Sequence, residues 1–229
     1  MKFSKDSLSI LKNFASINGG IVLSKGNFIM TRSVNGATYA EVTIPEEIDS
    51  ELAIYDLNAF LSILSLADDG AEIELNKTGD ISIKSDRSVI NWPSADPATI
   101  VSPKKRINFP EPNVTFDITS DDFGKIMRVS RGLGADTIAI KSDGKAIVVN
   151  AYNKISDTKL EKPLYTFQVS DYDGAEFNFI INLLNMKMVN DNYKVQLWAS
   201  GDQMFASKFE GSNVTYVLAV ESDSTHDFE

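Results

Sequence analysis

The chain has 229 residues, a formal net charge of −10 at pH 7, and 43% hydrophobic and 24% charged residues. This length allows one large domain or two small ones, and the composition is that of an ordinary globular protein. The absence of cysteine excludes disulfides, thiolate metal sites and a thiol nucleophile. No apolar run approaches the ~20 residues that span a bilayer, so no membrane partner is predicted.

The first predicted element is a helix from Ser4 to Ala15 whose two sides differ in character. Apolar residues recur on one side at helical spacing, and cations and serines recur on the other. The apolar side is Leu8, Leu11, Phe14 and Ala15, and the opposite side is Lys5, Ser9, Lys12 and Ser16. In a strongly acidic chain, a cationic helix face predicts a surface for a polyanion. For this helix alone, an ordinary solvated face is the better interpretation.

Alternating apolar residues and turn signals predict several strands and one more helix in the rest of the first half. The predicted elements are a hairpin of 21–23 with 28–30, a strand at 38–43, a helix at 56–66, a hairpin of 72–75 with 81–83 and a closing strand at 88–92. Asp68-Asp69-Gly70 is interpreted as a loop after the second helix.

A proline-rich connector of about 93–112 separates two halves. Its prolines remove backbone donors and disfavour helix, so an extended segment is expected. The predicted domains are therefore 1–110 and 111–229. Lys104-Lys105-Arg106, inside the connector, is interpreted as a solvated basic loop, with a phosphate or partner contact as the alternative.

The second half repeats the order of elements of the first. The predicted elements are a helix at 119–131, a hairpin of 137–141 with 146–150, strands at 165–169 and from 177, a helix at 181–188, a hairpin of 193–198 with 204–209 around Ser200-Gly201-Asp202, and a strand at 214–220. The helix at 119–131 places Lys125 and Arg128 opposite an apolar side. Two cationic helix faces at corresponding positions favour a polyanion surface over coincidence.

No catalytic constellation is present in the sequence. His226 is the only histidine, and it belongs to a short polar C-terminal tail that is predicted to be mobile, which argues against a catalytic triad or a zinc site. Asp171-Tyr172-Asp173-Gly174 begins like a calcium loop, but Asn182 stands where the bidentate glutamate belongs. The chain is therefore predicted not to be an enzyme, and to need no cofactor and no metal.

Long stretches across the chain closely resemble the sliding clamp family of T-even-type bacteriophages. These stretches are 11–18, 28–32, 54–58, 63–66, 128–133, 136–140, 177–182 and 223–228. The departures lie mainly in loops and the connector, for example at Lys104-Lys105-Arg106 and Glu229. The resemblance implies an α+β fold with two similar domains, each with two helices packed on antiparallel sheets. It further implies assembly as a homotrimeric ring whose helices line the hole.

The resemblance also implies a function and a set of partners. The ring would encircle double-stranded DNA without sequence specificity and tether the phage DNA polymerase. An ATP-dependent clamp loader would open the ring around DNA, and late-transcription factors would recruit it with RNA polymerase. The implied location is the cytoplasm of the infected bacterial host.

Three groups of candidate site residues are predicted. The DNA-facing group is Lys5, Lys12, Lys125 and Arg128, with Arg131 and Lys187 as weaker members because they verge on apolar helix sides. The subunit interface group is Val89 and Trp92, meeting Leu160 and Pro163 of the next subunit, since strand edges need to be covered. The pocket for partner peptides is predicted at Ile107 and Phe109 of the connector with Val217 and Leu218.

Two other functions are compatible with parts of the sequence. The first is a β-rich phage structural protein whose helix cations are incidental. The second is a single-strand binder, which the cationic faces disfavour because they contain Ser, Asn and Gly rather than aromatic residues for stacking.

Overall fold

The computed structural model describes residues 1–67, 71–201 and 203–228. The contacts divide the chain into a first unit, Met1–Arg106, and a second unit, Ile107–Glu229. The predicted loop at Asp68-Asp69-Gly70, Asp202 of the predicted 200–202 turn, and Glu229 lie outside the described residues.

The first unit combines two α-helices with short antiparallel sheets. Its elements are α1 (Lys5–Ile17), β1 (Ile21–Leu23), β2 (Gly26–Arg32), β3 (Thr38–Ile48), β4 (Leu52–Ile54), α2 (Leu57–Leu64), β5 (Glu72–Leu75), β6 (Ile81–Lys84) and β7 (Val89–Trp92). Within this unit β1 pairs with β4, β2 pairs with β3, and β5, β6 and β7 form a sheet in that order. A 3-10 turn, Pro97–Thr99, interrupts the connector.

The predicted hairpin of 21–23 with 28–30 is wrong. β1 pairs instead with β4, in the register Ile21 opposite Ile54, while β2 pairs with β3. Two short apolar runs around a glycine turn give the same sequence pattern whether the two strands pair with each other or with different strands. Here all three residues of β4 are buried and supply the partner strand for β1.

The core of the first unit lies beneath the two helices. Leu11 and Phe14 of α1 and Phe60 of α2 are at most 1% exposed, and α1 packs against α2. The ring of Trp92 meets Phe60 edge to face at a centroid distance of 5.6 Å. The side chain of Asp56 caps α2 by accepting a 2.9 Å hydrogen bond from the Ala59 amide. The two predicted helices of this half are confirmed.

In the residues described, the second unit has one α-helix and two larger antiparallel sheets. Its elements are β8 (Val114–Ile118), α3 (Ser120–Gly132), β9 (Thr137–Ser142), β10 (Ala146–Tyr152), β11 (Tyr165–Asp171), β12 (Phe177–Asn182), β13 (Tyr193–Ser200), β14 (Met204–Glu210), β15 (Val214–Ala219) and β16 (Thr225–His226). One sheet has the order β11-β10-β9-β12-β16, and β15, β14, β13 and β8 are consecutive neighbours in the other. The predicted hairpins of β9 with β10 and of β13 with β14 are confirmed.

The predicted helix at 181–188 is wrong. Ile181 and Asn182 continue β12 and pair with β9, and only a 3-10 turn, Leu183–Asn185, follows. The side chain of Asn182 accepts a hydrogen bond from the Leu184 amide, which turns the chain out of the strand. β-branched residues before this point favour the strand. The expectation of two helices in each domain thus holds for the first unit, while the second has one α-helix and this turn.

The predicted mobility of the C-terminal tail is also wrong. Thr225 and His226 form β16 and pair with β12 at the edge of the sheet. The His226 ring stacks on Phe228 at 5.0 Å, and the Phe228 ring lies 5.9 Å from that of Phe177. Aromatic burial therefore docks a segment whose polar composition predicts disorder. Among the described residues, no helix is both long and apolar enough to cross a membrane.

Candidate nucleic-acid interface

The cationic face of α1 is exposed, and the opposite face of the helix is packed in the core. Lys5 and Lys12 are both exposed, whereas Leu11 and Phe14 on the opposite side are buried. The two lysines are seven residues apart, so they lie on one face about 10 Å from each other along the helix axis. The side chain of Ser4 caps the helix by accepting a hydrogen bond from the Ser7 amide.

A carboxylate that the sequence reasoning missed holds the start of α1. Glu46 of β3 accepts hydrogen bonds of 2.5 Å from the Ser4 amide and 2.6 Å from the Ser7 hydroxyl. Partial burial acts to raise the pKa of Glu46, but the hydrogen bonds from Ser7 and Ser4 outweigh it and lower the pKa. Glu46 also places negative charge at the helix N-terminus, where the helix dipole favours it. The position of Lys5 is thereby tied to the sheet.

The second helix of this unit carries no charge. α2 presents exposed Asn58 and Ser62 on its outer side. The acidic side chain nearest to it is the N-cap Asp56, which is exposed at the start of the helix.

The cationic face of α3 resembles that of α1. Lys125 and Arg128 are exposed, and Phe123, Ile126 and Met127 are buried behind them. The Lys125 ammonium lies over the Phe167 ring of β11, 5.7 Å from its centroid. Phe167 was not identified from the sequence, because only the packing of α3 on this sheet brings it under Lys125. An aromatic face attracts a cation and restricts where the ammonium sits.

Arg131 and the segment of Lys187 come together although the predicted second helix is absent. The Arg131 guanidinium donates a 3.1 Å hydrogen bond to the Met186 carbonyl. Lys187 follows directly and is exposed, but on an irregular segment rather than a helix. The backbone before Lys187 therefore lies beside Arg131, close to the end of α3.

The four predicted interface residues differ in exposure. Val89 is 58% exposed on β7, which is an edge strand of its sheet. Trp92 is half-buried because it packs on Phe60. Leu160 is half-buried in its own unit, and Pro163 is exposed. β11, the strand that follows Pro163, is also an edge strand of its sheet.

Three of the four residues predicted to form the peptide pocket have exposed surface, and the fourth is buried. Ile107 is 42% exposed and Phe109 and Val217 are half-buried, so each offers some apolar surface. Leu218 is 1% exposed, because alternate residues of β15 face the core, and it cannot contact a partner.

Arg106 is exposed like its lysine neighbours, but an ion pair anchors its guanidinium. Its Nε and Nη2 atoms donate hydrogen bonds of 2.8 Å and 2.5 Å to Oε1 of Glu41, a carboxylate that is 7% exposed. The guanidinium also lies 5.5 Å from the centroid of the Phe28 ring. This contact fixes the end of the first unit just before Ile107. Lys104 and Lys105 remain exposed, as predicted.

The exposed cations of α1 and α3 are suited to binding a polyanion. Within 1–67, 71–201 and 203–228, no group of three or more His, Cys, Asp or Glu side chains could hold a metal ion. Exposed lysine and arginine side chains on these helices can contact phosphates without reading a sequence.

The fold is that of a DNA sliding clamp. The chain is similar to a chain of the A. fulgidus PCNA structure with the C-terminal region of FEN-1, with a TM-score of 0.68, 15% identity, and coverage of 93% of this chain and 94% of that one. It is similar to proliferating cellular nuclear antigen of Entamoeba histolytica, with a TM-score of 0.64, 15% identity and the same coverage. At these identities the likeness establishes the fold.

Sequence comparison identifies the family. Residues 4–102 match the family model described as DNA polymerase processivity factor, and residues 115–222 match that described as gp45 sliding clamp, C terminal. The chain is 56% identical to the sliding clamp of Escherichia phage RB69 and 54% identical to that of Enterobacteria phage T4, over the full length of all chains. The chain therefore belongs to the family of DNA polymerase processivity factors, the non-enzymatic sliding clamps of phage replication.

Proposed function

We propose that this clamp encircles duplex DNA as a homotrimeric ring and tethers the phage DNA polymerase through it. The observation that supports this most is the repeated cationic helix face in a chain of net charge −10. Lys5 and Lys12 on α1, and Lys125 and Arg128 on α3, are all exposed opposite buried apolar sides. In a ring, these faces would line the hole and meet the DNA phosphates.

Retention on DNA then follows from topology rather than from affinity. A closed ring leaves DNA only when an interface opens or at a DNA end, so a few weak phosphate contacts suffice. Tight ion pairs would hinder sliding, whereas scattered lysines can exchange phosphates along the duplex. A polymerase attached to the ring stays at high local concentration, so modest affinity between the two is enough.

Ring closure is expected to use strand edges. The edge of β7, which carries Val89, would meet the 150–165 region and the neighbouring edge strand β11 of the next subunit, near Pro163. Open strand edges pair with other chains unless they are covered, and head-to-tail contacts with the right rotation close into a ring. Trp92 would support this edge from inside its own unit through Phe60.

Further partners are proposed from the family resemblance. An ATP-dependent clamp loader would open the ring, and late-transcription factors would use it with RNA polymerase. C-terminal peptides of such partners would bind near Ile107 and Phe109, whose position the Arg106–Glu41 ion pair stabilises. The place of action would be the cytoplasm of the infected host cell.

The test is retention of the labelled clamp on DNA circles after loading by the phage clamp loader with ATP. We expect retention on the circle and rapid loss once the circle is cut, because a linear molecule lets the ring slide off. Equal retention on linear and circular DNA would contradict encirclement. Sedimentation equilibrium that gives only monomer at micromolar concentration would contradict the ring itself.

A further inference from the structure

A second candidate binding site lies on the sheet of the second unit, away from the cationic helix faces. Strands β10, β9 and β12 present Tyr152, Ala139 and Ile180 side by side on one face of the sheet. The segment 153–163, between β10 and β11, packs over these residues. Together they enclose a cavity of about 310 Å³, which Lys141, Thr158, Lys159, Asn178 and Asp223 also line.

The rim of this cavity is held in an unusual backbone conformation. Leu160 has φ of 54°, the one positive value outside glycine among the described residues. Its side chain packs against Ala139, Tyr152 and Ile180, and its amide donates a 3.1 Å hydrogen bond to the Asp157 carbonyl. The Asp157 carboxylate accepts a 2.7 Å hydrogen bond from the Lys162 amide. A leucine in the left-handed region is strained, so these contacts preorganise the segment, as at many binding sites.

The cavity has an excess of positive charge that the chain does not neutralise. Lys141 and Lys159 form no ion pair with any carboxylate in the described part of the chain. The acid in the cavity wall, Asp223, is already paired with Lys154 at 2.8 Å. Two free ammonium groups in one cavity of an acidic protein favour an anionic ligand.

A buried acceptor in the same wall lacks a donor. Oδ1 of Asn178 is fully buried and accepts no hydrogen bond from the described residues. Such an atom is costly to leave unpaired and calls for an explanation. The terminal torsion of asparagine is soft, so the amide can turn its oxygen toward a donor in the cavity. Asn178 stands opposite Lys141 in the register of β12 and β9, so acceptor and cation are adjacent.

We propose that this cavity binds an acidic peptide segment of a partner protein, with a side-chain carboxylate at Lys141 and Lys159 and a backbone N–H at Asn178. A peptide supplies both the anion and the donor, whereas a nucleic-acid phosphate supplies the anion alone. The site lies within one unit and does not depend on DNA encirclement, but its rim residues Thr158, Lys159 and Leu160 belong to the 150–165 region proposed above to meet the next subunit, so the peptide would bind beside that interface.

The test is fluorescence anisotropy of the full-length protein with a short labelled peptide of alternating glycine and aspartate. The same peptide with asparagine in place of aspartate serves as the uncharged probe. Measurement at physiological salt matters, because a Debye length of about 8 Å screens the distant acidic surface. We expect the acidic peptide to bind and the uncharged one to bind at least about tenfold more weakly, since charge-assisted hydrogen bonds are the stronger ones. Equal binding of both peptides, or of neither, would overturn the proposal.

Two variants locate the site. The double variant Lys141→Gln with Lys159→Gln should lower the affinity for the acidic peptide about tenfold or more. The matched pair Lys145→Gln with Lys194→Gln removes the same charge from exposed positions elsewhere in the unit and should change binding little. Equal losses in both pairs would mean non-specific attraction and would refute the site.

Asn178→Leu separates a binding role from a structural one. Removal of an unpaired buried acceptor should leave the melting temperature unchanged or raise it, while peptide affinity falls. Unchanged affinity would exclude the acceptor role. Displacement of the peptide from the wild type by duplex DNA or inorganic phosphate at matched charge would show a general anion site and overturn the assignment to a peptide.

Discussion

The two units follow the same order of elements but complete it differently. In the second unit β9 has six residues and pairs with both β10 and β12, which gives one continuous five-stranded sheet. In the first unit the corresponding strand, β1, has three residues and pairs with β4 alone, so β2 and β3 pair apart from it. A longer strand therefore joins two pairs into one sheet, and a short one leaves them separate.

The helices show the opposite asymmetry. The first unit backs α1 with a second helix, α2, whereas the second unit replaces that helix with a 3-10 turn and an irregular segment that Arg131 holds through the Met186 carbonyl. Both units nevertheless keep one long helix with exposed cations and a buried apolar side. The two units therefore share the exposed cationic helix, whereas the elements that pack behind it differ.

The largest expected effect comes from removing the apolar support of either helix. Phe14→Ala in α1 and Phe123→Ala in α3 each delete a ring that is at most 4% exposed. Each should lower the free energy of unfolding by about 3–5 kcal/mol, because a cavity remains where the ring was. Urea unfolding measures this, and a loss below about 1 kcal/mol in one unit would mean that its helix is loosely packed.

Charge reversal on both helices should impair DNA retention while stability is kept. Lys12→Glu with Arg128→Glu alters exposed positions, where substitutions usually change stability by within about 0.5 kcal/mol. Retention on DNA circles should fall. The deficit relative to the wild type should shrink at higher salt, because salt screens the interaction of both proteins with the DNA phosphates.

Lys25→Glu with Lys194→Glu is the matched control, because both lysines are exposed and lie outside the helices. We expect normal retention for this pair. If the helix pair retains DNA normally at low salt, its residues do not face DNA. If only one of the two single reversals matters, the two units do not contribute alike.

Glu46→Gln tests the carboxylate anchor of α1; at the start of α3 the Ser120 amide donates instead to the neutral amide oxygen of Asn192. The pKa of Glu46 is lowered from 4.5 in the folded protein, so its ionised form stabilises the fold above that pH and the gain is lost as pH falls through the lowered value. At neutral pH the variant should melt roughly 2–4 °C lower, the shift that about 1 kcal/mol causes in a chain of this length. Melting curves across pH should show this gap closing below pH 4.5. A gap that stays constant with pH would assign the effect to packing.

Phe167→Leu should have the smallest effect and concerns the second unit alone. It removes the aromatic face beneath Lys125, a contact of about 0.5–1 kcal/mol at exposed sites, and keeps an apolar side chain. DNA retention should fall less than in Lys125→Gln, and the two changes together should match Lys125→Gln alone. Additive losses would mean that Phe167 acts independently of the lysine.

The sequence by itself determined the helices α1 and α3 and the sides on which their cations lie. These features are local, because a period of 3.6 residues assigns each side chain to a face. The hairpins β5–β6, β9–β10 and β13–β14 were predictable for the same reason, since each joins strands that are adjacent in the chain. The family resemblance likewise rests on contiguous stretches.

Tertiary structure alone decided the contacts between distant residues. The pairing of β1 with β4, the extension of β12 through Ile181 and Asn182, and the docking of Phe228 each depend on a surface built elsewhere in the chain. Glu46 at the start of α1 and Glu41 at Arg106 come from β3, more than thirty residues away in each case. Local pattern cannot identify such partners, because burial and pairing energies are realised only when both surfaces exist.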